Sequence, residues 1–275
     1  MKILIIKTGL CETFAEIDNE SQKCSLGDVF RTTFILNFYQ NHEIHWLTDP
    51  AAKKLLDIEN IDTLYTDVSL INEEYELVIN LEKDFTLFEK IRFDSFLGFY
   101  CNERKEILVK TSNEYYPFKI GIDNSFQKEI TNILGFSWNN EQYLINRTST
   151  QVKNDIGLNW KAGTKWPEKL LPEKFWKDLE ENLSEKYSLS WQKGFDDLEE
   201  YISWIDSCKR IITLDSLGFH LALAMKKDTI GLFGPTTSHE MECYGLAKCI
   251  SYDYKQVHNR EYLNKLCDTT SKLIK

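Results

Sequence analysis

Short β-branched, apolar runs alternate along this chain with stretches of helical spacing, and that alternation fits a parallel sheet with helices on its faces. In the first half ILIIK (3–7), EIHWLT (43–48), DTLYT (62–66) and ELVINL (76–81) read as strands, with FLGFY (96–100) and EILVK (106–110) as a fifth and sixth. Helical spacing runs over 28–40, 50–57, 84–92 and 126–136, and Asp49-Pro50 marks a sharp start for the second of these. The polar stretch 137–154 has no clear periodicity and is the candidate linker. A second set follows: strands at 155–160, 187–191, 210–215, 229–234 and 248–253, helices at 173–186, 196–208 and 217–226, and a last helix at about 258–273 placed to pack back on the first domain. The expectation is an α/β protein of two Rossmann-like domains, 1–150 and 151–275, with parallel sheets facing a central cleft. Ligands of such sheets bind outside the carboxyl ends of the strands, so the residues that follow each strand are the ones to read.

Composition narrows the class. No apolar run reaches the ~18 residues of a spanning helix, and the opening MKILIIK is too short for a signal-peptide core. A cytoplasmic protein is expected. Seven cysteines without a CxxC pair suit reduced thiols there; Cys243 and Cys249 lie close together in sequence but have no ligand-spaced His or third Cys. The net charge of −10 argues against a nucleic-acid surface, though not against a nucleotide ligand, which needs only local donors.

The segment RIITLDSLGFHLALAMKKDTIGLFGPT (210–236) is the most informative. A strand ends at Leu214, Asp215 follows, and Ser216-Leu217-Gly218 open a helix carrying His220. A helix N-terminus presents unpaired amides and partial positive charge, which suits a diphosphate. Gly218 would clear the way for a phosphate, and Asp215 could accept hydrogen bonds from sugar hydroxyls. Read alone, Asp215 and Ser216 could equally be helix caps and His220 a packing residue. Phe233-Gly234-Pro235-Thr236-Thr237 adds a second turn at the same sheet end, with hydroxyls for a phosphate or ribose.

This Asp-Ser-x-Gly-x-His-Leu-Ala run, with Leu-Phe-Gly-Pro-Thr after it, resembles the donor-site signature of the heptosyltransferase family (glycosyltransferase family nine). The resemblance implies the two-domain GT-B fold, with the donor sugar held at Asp215 and the diphosphate at the amides after it. Near the N-terminus, Lys7-Thr8-Gly9 and Ser25-Leu26-Gly27-Asp28 resemble the family's first-strand motif, interrupted here by the Leu10–Cys24 insert with its acidic Glu12, Glu16, Asp18 and Glu20. Gly27 reads as a tight turn and Asp28 as a residue of the first helical turn; a plain N-cap is the bland alternative. By the resemblance Asp28 is the general base and Lys7 lies near the same site. Lys165-Trp166-Pro167 and Lys169-Leu170-Leu171-Pro172 resemble the family's doubled basic-Trp-Pro pattern, which places the donor-phosphate lysine at Lys169, with Lys165 as second choice. Such a cation can replace a metal at a leaving diphosphate. No DxD-type metal motif is present, and Asp196-Asp197 reads as a cap and solvated face.

One departure stands out. Only residues 187–195 separate the two helices where fuller family members carry an extra strand and helix, so base recognition is not carried over, and Gln192 and Lys193 are the nearby candidates. The resemblance implies an inverting, metal-independent transfer from a sugar nucleotide such as ADP-heptose, a co-substrate with no further cofactor. The acceptor would be a lipopolysaccharide core or other surface glycan, with at most peripheral contact at the inner face of the membrane. A shortened scaffold that binds a sugar nucleotide or a partner protein without catalysis is the alternative.

Overall fold

The computed structural model describes residues 1–10, 23–82, 90–101, 107–112, 114–116, 124–147, 150–163, 165–194 and 197–274. The chain divides into two compact units, Met1–Asn146 and Arg147–Lys275.

In the first unit β1 (Lys2–Ile6) lies between β2 (Glu43–Leu47) and β4 (Glu74–Asn80), and β3 (Thr63–Tyr65) flanks β2. Ile3, Leu4, Ile5 and Ile6 are all fully buried, as a central parallel strand covered on both faces should be. Beyond β4 come β5 (Arg92–Cys101), then β6 (Ile107–Lys110) and β7 (Tyr115–Tyr116), the last two antiparallel. The sheet order β3-β2-β1-β4-β5 reverses direction between β1 and β4, the point where such sheets bind ligands.

The helical spacing at 28–40 yields only a short α1 (Leu26–Phe30) and a 3₁₀ turn at Thr33–Phe38. The run Thr32-Thr33-Phe34-Ile35 is poor in helix formers, and Thr32 Oγ1 donates to the Val29 carbonyl at 2.6 Å, tightening the turn. Residues 50–57 likewise form a 3₁₀ turn (Pro50–Leu56), started as expected by Pro50, with Asp49 accepting from the Ala51 amide. The helix expected at 84–92 falls mostly outside the described residues, and Arg92 already belongs to β5. Helix α2 (Phe126–Ile133) is capped by Ser125.

The unit boundary falls inside the polar stretch 137–154, yet its first part is not slack. Tyr143 is buried beside Phe30 and accepts from Gln127 Nε2, while the Leu144 amide donates to Thr33 Oγ1 at 3.1 Å.

The second unit holds β8 (Asn154–Asn159), α3 (Glu173–Ser184), β9 (Leu189–Trp191), α4 (Leu198–Asp206), β10 (Cys208–Leu214), α5 (Leu217–Ala224), β11 (Asp228–Phe233), β12 (Ala247–Ser251) and α6 (Arg260–Lys272). Its five strands are parallel in the order β12-β11-β10-β8-β9, which reverses between β10 and β8. Ile156, Leu158, Ile212, Leu214, Ile230 and Leu232 face α3 and α6. From α3 come Phe175, Trp176, Leu179 and Leu183, each worth about 1.5–3 kcal/mol when fully buried. The buried face of α6 (Leu263, Leu266, Cys267) meets this same core, inside the second unit. Helix α5 is apolar on every side and buried from Leu217 to Leu223, which fixes its N-terminus firmly at the sheet end.

A buried charge cluster ties the start of this unit to α4. Asp206 accepts from the Thr150 amide (2.5 Å) and hydroxyl (2.7 Å) and pairs with Lys227 Nζ at 2.9 Å. Burial pushes the Asp206 carboxyl up, but the Thr150 and Lys227 contacts outweigh it and hold the group below the usual carboxylate range. A depressed folded value contributes stability that is present above the unfolded value of about 3.9 and is lost as pH falls through the folded one. Asp206→Asn should therefore flatten the acid limb of a stability–pH curve and cost on the order of 3 kcal/mol at neutral pH, read by urea denaturation, because Lys227 is left buried without its counter-charge.

Candidate active site

At the end of β1 the chain turns through Lys7, Thr8 and Gly9. This turn is gripped by a residue that belongs to none of the three motif segments. Glu82, fully buried just after β4, accepts through Oε2 from the Thr8 amide (2.7 Å), the Thr8 hydroxyl (2.6 Å) and the Gly9 amide (2.9 Å), and its Oε1 lies 3.7 Å from Lys7 Nζ. It stands at the β1/β4 reversal, and its signal was its place directly after the ELVINL strand. Gly9 has φ +73°, and a Cβ there would meet Val29 Cγ2 at 2.8 Å and the Ser25 carbonyl oxygen at 2.9 Å. Only glycine permits the Ser25 amide to donate to the Gly9 carbonyl at 2.7 Å, the contact that docks α1 on the strand end.

The N-cap of α1 is Ser25, not Asp28, so the bland capping reading of Asp28 is corrected. Ser25 makes no side-chain cap; its hydroxyl donates to the Asp28 carboxylate, and Arg31 Nη2 meets the other oxygen at 2.5 Å. The Arg31 guanidinium lies over the Phe126 ring, 3.9 Å from its centre. Gly27 is corrected too: it is the second residue of α1, with no left-handed φ and no tight turn. The insert residues Glu12, Glu16, Asp18 and Glu20 lie outside the described residues.

In the second unit Asp215 follows β10 and is 4% exposed. Its Oδ2 accepts from Lys169 Nζ at 2.7 Å and from the Thr236 hydroxyl at 2.6 Å. Burial pushes this carboxyl up, yet the Lys169 charge and both hydrogen bonds more than offset that and keep it below the ordinary range, hence ionised. Lys169 ends the 3₁₀ turn Pro167–Lys169, and its carbonyl accepts from the Tyr252 hydroxyl at 2.8 Å. Tyr252 also fills the space beside Gly234, where a Cβ would meet its ring at 2.6 Å. The structure thus brings together Asp215, Lys169 and Thr236, with Gly234 and Pro235 leading into the last. Lys165, the second-choice lysine, is half-buried on the preceding turn.

Ser216 is the N-cap residue of α5 but forms no cap bond; its hydroxyl accepts from Asn159 Nδ2 at 3.2 Å. Asn159, at the end of β8, also donates to Thr213 Oγ1 (2.7 Å) and accepts from the Tyr201 hydroxyl (3.0 Å). These two residues supply a reason for Gly218 that the sequence did not show. A Cβ there would lie 2.2 Å from Asn159 Nδ2 and 2.3 Å from the Tyr201 hydroxyl, so the glycine is required by the protein's own polar network beneath the helix start. His220 is buried, its ring 5.7 Å from that of Phe219 and edge-on to it. Asp197 caps α4 through the Glu199 and Glu200 amides; Asp196 lies outside the described residues.

After β9, Gln192 is buried and Lys193 exposed. The Gln192 side chain accepts from the Lys161 amide at 3.1 Å, and its carbonyl accepts from Trp160 Nε1 at 3.0 Å. One group of described residues has metal-ligand spacing, Glu43, His45 and Glu73, but it sits near the amino ends of β2 and β4, and Lys2 Nζ bonds both carboxylates.

A mostly parallel sheet in the first unit and a parallel one in the second, each with an acid and a lysine beyond its strands' carboxyl ends and the second with a helix N-terminus there as well, are the layout of the GT-B fold. Residues 194–269, which carry α5 and the Gly234–Thr236 turn, match the family model for glycosyltransferase family 9 (heptosyltransferase). Among solved structures the chain is similar to E. coli heptosyltransferase WaaC with ADP (14% identity, 99% of each chain covered, TM-score 0.69). It is also similar to the glycosyl transferase family 9 protein from Veillonella parvula DSM 2008 (15%, 98% of this chain and 97% of that one, 0.64). E. coli ADP-heptose lps heptosyltransferase II shares the fold as well (13%, 98% and 99%, 0.60). No curated protein sequence matches the chain. No helix of the described residues is long and apolar enough to cross a membrane.

Proposed function

We propose that the chain moves a sugar, heptose in the first instance, from a nucleoside diphosphate donor such as ADP-heptose to a hydroxyl of a lipopolysaccharide core or other surface glycan, with inversion and without a metal ion. In this reading the second unit binds the donor and the first the acceptor, at the cytoplasmic face of the membrane. The observation that carries it is the Asp215–Lys169–Thr236 cluster beside the start of α5. WaaC, whose fold this chain shares, has been solved with ADP and with ADP-2-deoxy-2-fluoro heptose.

Each group has a task its chemistry allows. The ionised Asp215 accepts hydrogen bonds from donor-sugar hydroxyls. Lys169 has three N–H donors and spends one on Asp215, so the others can meet the diphosphate. The first amides of α5 add their share of positive potential. As the bond from the anomeric carbon to the diphosphate oxygen breaks, charge builds on the leaving group where these donors already point. Asp28 takes the proton of the acceptor hydroxyl as that oxygen bonds to the anomeric carbon from the opposite side. The buried ties of Glu82 to Thr8 and Gly9, and of Gly9 to Ser25, hold α1 and Asp28 to the sheet.

Metal independence is the part open to a direct assay. Release of ADP from ADP-heptose with a heptose-lacking core glycan as acceptor should run at the same rate with and without a chelator. Activity that disappears with chelator and returns with magnesium or manganese would contradict the role given to Lys169 and α5. Binding of the sugar nucleotide with no turnover on any such acceptor would favour the scaffold instead.

A further inference from the structure

Between β11 and β12 the chain makes a device that sugar transfer does not use. After the Gly234–Thr236 turn comes a 3₁₀ turn at Ser238–Glu240 capped by Thr237, then Met241, buried. Residues 243–246 form a tight turn in which the Leu246 amide donates to the Cys243 carbonyl at 2.8 Å, with Tyr244 at φ +53° and Gly245 at φ +70°. Two successive positive φ angles are those of a type I′ turn, which folds the chain back on itself. The result is that Cys243, before the turn, lies against Cys249 in β12, with their sulfurs 3.6 Å apart. Both are half-buried.

We propose that Cys243 and Cys249 form a dithiol site for thiol–disulfide exchange with small disulfides, closing to an intramolecular disulfide. The geometry supplies a pair already in van der Waals contact on one short segment, with partial exposure on both sides of the turn. It also differentiates the two sulfurs. The hydrogen bond with Cys249 holds the Cys243 thiol below its ordinary range, whereas the same contact, with burial, pushes Cys249 up. Cys243 is therefore the attacking thiolate. It bonds to one sulfur of the small disulfide and expels the other half as a thiolate, which takes up the proton Cys243 lost. Cys249 then loses its proton, attacks the Cys243 sulfur and expels the second half as a thiol. Two cysteine thiols are oxidised and one small disulfide is reduced to two thiols. The new bond would staple the segment that carries Thr236, and so the Asp215 contact, to the edge strand β12.

Oxidised glutathione is the probe, applied to the folded protein, with peptide mapping by mass spectrometry under non-reducing conditions. The expected result is a Cys243–Cys249 cross-linked peptide reversed by dithiothreitol, while Cys208 and Cys267, buried and with thiols pushed up to about 11, stay reduced. Cys249→Ser should instead trap a glutathione adduct on Cys243, and Cys243→Ser should slow adduct formation at Cys249 at least tenfold. Stable adducts on both cysteines of the unaltered protein with no cross-link, or no reaction at either while Cys208 reacts, would overturn the proposal. The unaltered protein decides the matter even if a serine variant fails to fold.

Discussion

Asp28→Asn should leave a folded protein with near-normal donor affinity whose transfer rate is lower by about 10²–10⁴-fold, the usual worth of a positioned general base. Asparagine keeps the size of the side chain and one oxygen, which can accept from Arg31 while its NH2 donates to the Ser25 hydroxyl, and the helix start is untouched because Ser25 is the N-cap. What is lost is the capacity to take a proton. If Asp28 served only to anchor Arg31, the same change would cost roughly 1.5–3 kcal/mol of stability, the range for a charge-assisted hydrogen bond, with the rate kept. Initial rates at saturating donor, paired with denaturant unfolding, separate the two cases.

Asp215→Asn should reduce transfer by at least about 10²-fold, because a charged acceptor for sugar hydroxyls and the counter-ion of Lys169 disappear together; ~3 kcal/mol of lost transition-state binding gives that factor. Asp215→Ala is the harsher change: the carboxylate is 4% exposed and ties Lys169 and Thr236 together, so alanine leaves two polar groups without their partner and costs stability as well as activity. Asparagine, which still accepts from Thr236, is the cleaner probe. Lys169→Ala should weaken donor binding more than Lys165→Ala, by isothermal calorimetry with ADP; a larger effect at Lys165 would move the phosphate contact to that turn.

The strands were legible because Ile3–Ile6, Ile211–Leu214 and Ile230–Phe233 are apolar runs of a length only a buried parallel strand requires. Helix type was less so. Periodicity at 28–40 and 50–57 cannot distinguish an α-helix from a 3₁₀ turn, and bulky residues at 32–35 decided the first. Asp215 and Lys169 were visible from their motifs, but their contact joins residues 46 positions apart and belongs to the fold. The same holds for Gly218, which Asn159 and Tyr201 already require to be glycine, and for Glu82, an acid that no local pattern links to Thr8. Position after a strand marked Asp215 and Glu82; partner identity required the sheet order.

The proposed transfer requires that the start of α5, with Lys169, bind a nucleoside diphosphate. Thermal unfolding of the protein with a panel of nucleoside diphosphates and sugar nucleotides tests it most directly, since a ligand at 100 times its Kd stabilises by about 2.7 kcal/mol. The expected result is a selective upward shift with one nucleotide and its sugar conjugate, absent from Lys169→Ala. No shift with any member of the panel, or the same shift in Lys169→Ala, would contradict it.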